Sequence, residues 1–143
     1  MENRPQHDGD ARQPRMTFRA RHRLSGSRAF TAVHRKGVRK PRGPLLVIGL
    51  PNGLDHCRLG LSVSRRVGNA VARHAIKRRI REAFRLSQHD LPAGYDLVVI
   101  VRPHRLMTMD IYRDQLAAAW RAIDSTWRKR TASDAAHPAE SPS

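Results

Sequence analysis

Eight lysines and arginines fall between Arg65 and Arg85 against a single acid, Glu82, a local net charge of +7. Arg73, Lys77, Arg81 and Arg85 recur at every fourth residue. On a helix they therefore stack along one side, with His74 and Arg78 among them. Ala72, Ile76, Ile80 and Ala83 fall in one quadrant away from them, Phe84 lies just beyond it, and Arg79 stands at the apolar edge. A helix that merely faces water pairs Glu with Lys at this spacing, each pair worth about 0.2–0.5 kcal/mol. Stacked like charges cost about as much, so the free chain gains nothing from them; a bound polyphosphate does. All but Lys77 of the eight are arginines, whose planar fork grips a phosphate through two hydrogen bonds. Ahead of this stretch, Gly68 permits a sharp turn and Asn69 can cap the helix. The first-turn amides then point outward beside Arg65 and Arg66, a plausible phosphate site.

Catalytic chemistry is not legible in the same way. Five of the twelve acids lie in the terminal segments, and none forms the paired cluster that holds a catalytic metal. Asp110 and Asp114 are one helical turn apart, which helix-start electrostatics explains better than a metal site. The eight histidines show no HxxxH spacing, and the single cysteine, Cys57, excludes a cysteine-based zinc site and an internal disulfide. Neither a phosphate loop of P-loop type nor a GxSxG motif occurs. No catalytic residue and no metal ligand is therefore assigned: the chain binds, and something else reacts.

These residues need a scaffold. Residues 1–17 and 131–143 read as disordered polar tails and 18–130 as one domain. A first helix, capped by Ser25 or Ser27, runs to Arg35 with Phe30 and Val33 inward, and Lys36-Gly37 ends it. Arg39, Lys40, Pro41 and Arg42 read as a basic turn. Residues 45–50 form a short apolar strand, and Asn52-Gly53 a turn toward the next. Residues 58–64 alternate: Leu59, Leu61 and Val63 face a core, while Gly60, Ser62 and Ser64 give the other side a smooth polar surface, suited to a groove floor. The arginine-rich helix, a strand over 95–101 and a helix from a Thr108 cap to about Arg130 complete an α+β sandwich. Tyr112, Leu116, Ala119, Trp120, Ile123 and Trp127 make one apolar stripe on that last helix, so its tryptophans are expected in the core rather than stacked on bases.

The totals point to partners. A net charge of +16 on 143 residues seeks a polyanion. No run is long and apolar enough to span a membrane, the N-terminus lacks the apolar stretch of a secretory signal, and no helix pairs its basic side with an exposed apolar one. The expectation is a cytoplasmic protein that binds a nucleic acid and no membrane.

The run Arg58-Leu59-Gly60-Leu61-Ser62-Val63-Ser64-Arg65-Arg66-Val67-Gly68-Asn69-Ala70-Val71, leading into Arg73-His74-x-x-Lys77-Arg78-x-x-Arg81-Glu82-x-Phe84-Arg85, closely resembles the signature of the bacterial ribonuclease P protein component. The likeness extends over about 110 residues, from Arg23-Leu24 and Phe30 to the last helix. It implies a small mixed sheet packed with three helices, ribosomal protein S5 domain 2-like, with a left-handed βαβ crossover of a kind otherwise rare. It implies a partnership with RNA and not DNA: a catalytic RNA that, with Mg2+ held mainly by that RNA, removes the 5′ leader of precursor tRNA.

On this resemblance the RNA-facing residues are Arg65, Arg66, Asn69, Arg73, His74, Lys77, Arg78 and Arg81. A leader cleft involves Phe30, His34, Ser62 and Ser64. His74 stands where the family usually has asparagine, His34 where it often has a second aromatic, and Ile48 where relatives can carry tyrosine. With few aromatics to stack on bases, the leader is expected to be held more by charge and shape. The competing expectation is a ribosomal or ribosome-assembly protein with no enzymatic role, which would share the basicity.

Overall fold

The computed structural model describes residues 20–136. The 1–17 tail and the end of the other tail lie outside them. The elements are α1 (Ser27–Lys36), β1 (Val38–Arg42), β2 (Leu45–Pro51), β3 (Arg58–Val63), α2 (Ala70–Ser87), β4 (Tyr95–Val101) and α3 (Met109–Ala136). Short 3-10 turns occupy Ala20–His22 and Arg65–Val67.

The strands form one mixed sheet in the order β1-β2-β4-β3. β1 with β2 and β2 with β4 are antiparallel, and β3 with β4 is parallel, joined through α2. This is the α+β arrangement of three helices on a small sheet. The order follows from side-chain character. β4 is buried along nearly its whole length, and a strand apolar on both sides belongs in the middle. β1, with Arg39, Lys40, Pro41 and Arg42, and β3, with Gly60 and Ser62, take the edges. There charge and proline discourage further pairing.

Each side of the sheet carries its own apolar cluster. One side packs Val47, Leu59, Leu97 and Val99 against Ile76, Ile80 and Phe84 of α2 and Tyr112, Leu116, Trp120 and Ile123 of α3. Trp120 stacks on Phe84, ring centroids 5.4 Å apart, and donates to the Pro92 carbonyl at 2.8 Å. Trp127 donates to the Gly49 carbonyl at 3.0 Å. Both tryptophans thus hold the core together. The opposite side carries only α1, through Val33 over Ile48 and Val98 with Leu24 alongside. One short helix cannot cover four strands, and the uncovered remainder is the groove described below.

Four expectations require correction. Residues 39–42 are an edge strand rather than a turn, paired Arg39 to Ile48 and Pro41 to Leu46; an edge position tolerates the amide that proline lacks. The N-cap of α1 is Gly26, at φ 93°, with no side-chain cap bond. Its left-handed backbone, open to glycine, turns the chain out of the Leu24–Leu59 contact. α3 runs on through Ala136 rather than ending near Arg130. Alanine-rich sequence favours this, and the Thr131 hydroxyl bonds back to the Trp127 carbonyl. The Asn52-Gly53 turn forms, with Asn52 Oδ1 accepting from the Leu54 amide at 2.8 Å, but β4 lies between the strands it connects.

Candidate nucleic-acid interface

Asn69 caps α2: its Oδ1 accepts from the Ala72 amide at 2.8 Å. Before it, Arg65 and Arg66 are exposed on the 3-10 turn, and an extended Gly68 leads from that turn to Asn69. Arg73 folds back so that its Nε donates to the Gly68 carbonyl at 3.1 Å. That bond holds a guanidinium beside the positive end of the helix dipole, where an anion would be drawn.

Further along α2 the two sides separate as the spacing requires. Ile76, Ile80, Ala83 and Phe84 are buried, His74 and Arg78 are exposed, and Arg73, Lys77 and Arg81 are half-buried at the flanks. Burial, and then the nearby charge of Arg23, lower the pKa of the Arg81 guanidinium, and neighbouring cations of this kind stabilise a bound phosphate rather than each other. The one acid of the helix faces elsewhere in function. Glu82 accepts from Arg85 Nε at 2.9 Å and from the same guanidinium's Nη2. This pairing holds the Glu82 carboxyl below its usual range. Arg85 is thereby neutralised, and the cationic side ends at Arg81. Arg79, at the apolar edge, donates to the Met107 carbonyl at 2.6 Å and ties α2 to the start of α3.

The groove lies on the α1 side of the sheet. Cross-strand register aligns Leu46 with Ile100 and Ile100 with Ser62, giving a floor that crosses the sheet beyond the end of α1. Leu46 and Ile100 are half-buried, and Ser62 and Ser64 are exposed. Phe30 is half-buried on the wall, its ring laid over Gly60, where an added Cβ would lie 2.5 Å from Phe30 Cζ. The ring therefore serves both the α1 core and the groove. His34 is half-buried on the same helix, its carbonyl accepting from Arg39 Nη2 at 3.2 Å. Ile48 is fully buried beneath α1 and cannot reach the groove. Leu46 and Ile100 escaped sequence reasoning, because only the strand order puts them in one row with Ser62.

The two predicted sets are thus on different sides of the sheet, and they meet where Ser62 and Ser64 lead into Arg65. Two further carboxylates of the described residues are engaged by cations or hydrogen-bond donors. Asp96, almost fully buried, accepts from Arg58 Nε and Nη2 at 2.8 and 2.7 Å and from Asn52 at 2.9 Å. Asp124 accepts from Tyr95 and Arg128, each at 2.8 Å. Among the described residues no group of three His, Cys, Asp or Glu could hold a metal ion, and no helix is long and apolar enough to cross a membrane.

The chain is similar to known proteins of one family. The family model for ribonuclease P matches residues 18–124. The ribonuclease P protein component of Syntrophobacter fumaroxidans is 43% identical over 103 residues, covering 70% of this chain and 87% of that protein. The ribonuclease P protein of Thermotoga maritima superposes with a TM-score of 0.65 at 31% identity, covering 71% of this chain and 96% of that one. The Staphylococcus aureus ribonuclease P protein gives 0.61 at 34% identity, covering 68% and 91%.

Proposed function

The chain belongs to the ribonuclease P protein family and is a protein subunit of that enzyme, and from this premise we propose how its two surfaces divide the task. The acid-free side of α2, with its Arg65–Asn69 approach, docks on the catalytic RNA. The groove beside it, floored by Leu46, Ile100 and Ser62 and walled by Phe30 and His34, takes the single-stranded 5′ leader of precursor tRNA. The enzyme works in the cytoplasm, where precursor tRNA is made.

The observation that carries this reading is the contact of the two surfaces at Ser62–Arg65. It lets one small protein hold the cutting RNA and the segment to be cut in a fixed relation. Of the protein's own carboxylates, Asp96, Glu82 and Asp124 each already serve a cation or a hydroxyl. In this reading the metal belongs to the RNA, which performs the hydrolysis. The protein's part is electrostatic and positional. Two RNAs repel each other, and a chain of net charge +16 between them screens that repulsion and lowers the metal concentration required.

Reconstitution tests this. The purified protein alone is expected to cleave nothing. Added to its RNA at low Mg2+, it is expected to restore leader removal from precursor tRNA. Cleavage by the protein without RNA, or restoration by an Arg73→Ala/Lys77→Ala/Arg78→Ala variant equal to that of the unaltered chain, would overturn the proposal.

A further inference from the structure

The outward side of α1 carries a second cationic surface that the reading above leaves unused. This helix holds Arg28, His34, Arg35 and Lys36 and no acid. Its inward side is occupied by Ala29, Phe30 and Val33 against the sheet. At 100° per residue, Phe30, His34, Ser27, Thr31, Arg35 and Arg28 follow one another around the helix. The sequence starts at the groove wall and ends on the side away from the sheet.

Arg28, Arg35 and Lys36 are exposed. No ion pair among the described residues involves any of them. With Ser27, Thr31 and Ala32 they line a shallow depression. Small side chains between the cations let a backbone approach closely, and the two hydroxyls can donate to phosphate oxygens. A face that only keeps a protein soluble interleaves both signs; this one does not.

We infer that the outer face of α1 binds the phosphate backbone of the leader where it leaves the groove, the part farther from the cut. The inference rests on the groove being the leader site. Continuity favours this occupant over other RNA. Phe30 and His34 on the groove wall belong to the same helix, so a strand passing over His34 and Thr31 meets Arg35 and Arg28 directly. The α2 surface lies across the sheet and cannot serve the same stretch. Contacts made only to phosphate are indifferent to sequence, as a surface facing many different leaders requires.

The test uses the reconstituted holoenzyme with Arg28→Ala/Arg35→Ala/Lys36→Ala and precursor tRNAs with leaders of about 4 and about 16 nucleotides, the span of single-stranded binding sites. For the long leader, the slope of log affinity against log salt should become shallower by about 2, three phosphates at roughly 0.7 each. Binding of the short-leader substrate should not change. Equal loss on both substrates, or no loss on either, would overturn the inference. Arg35→Gln alone keeps the stem of the side chain and should lower the long-leader slope by about 0.7; an unchanged slope would count against the inference. Should the unaltered protein bind the short-leader substrate no better than mature tRNA, the groove reading itself falls, and the inference with it.

Discussion

Cys57 sits just before β3, buried, its thiol donating to the Pro92 carbonyl at 3.4 Å and its sulfur accepting from the Tyr95 amide at 3.3 Å. Burial pushes the thiol up to about 11, so the folded chain resists ionising it while the unfolded chain ionises it near its ordinary value of 9.0. The stability this confers is fully present below pH 9 and is lost as pH rises toward 11. At about 1.4 kcal/mol per pH unit the loss is roughly 3 kcal/mol. Tyr95, raised by burial and then by its bond to Asp124, titrates in the same direction, so the comparison must be differential. Denaturant unfolding of the Cys57→Ala variant should show a shallower decline between pH 9 and pH 11 than the unaltered chain; parallel declines would refute the assignment. At this scale the sequence was readable wherever a residue acts on near neighbours. Asn69 caps three residues ahead, and Arg79 lies at the border of its helix. It was unreadable where partners are remote: the Arg58–Asp96 pair joins residues 38 apart in the chain, and only the parallel register of β3 and β4 brings them together.

Among the elements, the contact between β3 and α1 decides the shape of the groove. Gly60 has no unusual backbone to accommodate; it is needed because the Phe30 ring lies where its side chain would be. Gly60→Ala must therefore push the ring outward, and the open side lies over the groove floor. The variant should stay folded, with a stability loss of about 1–3 kcal/mol, the usual cost of overpacking. It should weaken binding of precursor tRNA severalfold while leaving mature tRNA binding unchanged, as equilibrium binding of the two would report. Equal effects on both would mean that Phe30 serves the core alone. Element types were legible because period and composition agree locally: alternation in 58–64, the apolar run of 95–101 and the stripe on α3. The basic turn over 39–42 failed because three cations and a proline carry no period, and an edge strand is defined by its neighbour β2 rather than by its own pattern. The insertion of β4 between β2 and β3 was not read from the residues either, since the apolar runs of β2 and β4 mark both strands as inner without saying which neighbours each one takes.

For the whole molecule, charge makes two opposite demands. The chain carries 28 basic and 12 acidic residues, and its cations gather on both sides of the sheet, on α1 and on α2. In the free protein these cations repel one another, and compaction makes the repulsion worse. Bound to RNA, the same cations are neutralised. Added salt should therefore stabilise the free chain and weaken the complex, because it screens repulsion in one and attraction in the other. The melting temperature of the free protein should rise by a few degrees from low to moderate NaCl, since about 1 kcal/mol moves a domain of this size by roughly 3–6 °C. Over the same range, affinity for the RNA subunit should fall along a straight log–log line. RNA itself should raise the melting temperature most at low salt, where saturation at a hundredfold excess over Kd contributes about 2.7 kcal/mol. A free protein that melts lower as salt is added would mean that its surface ion pairs outweigh its repulsions. The basic faces would then be part of what holds the fold, and the division between an apolar core that folds the chain and a cationic surface reserved for RNA would fail.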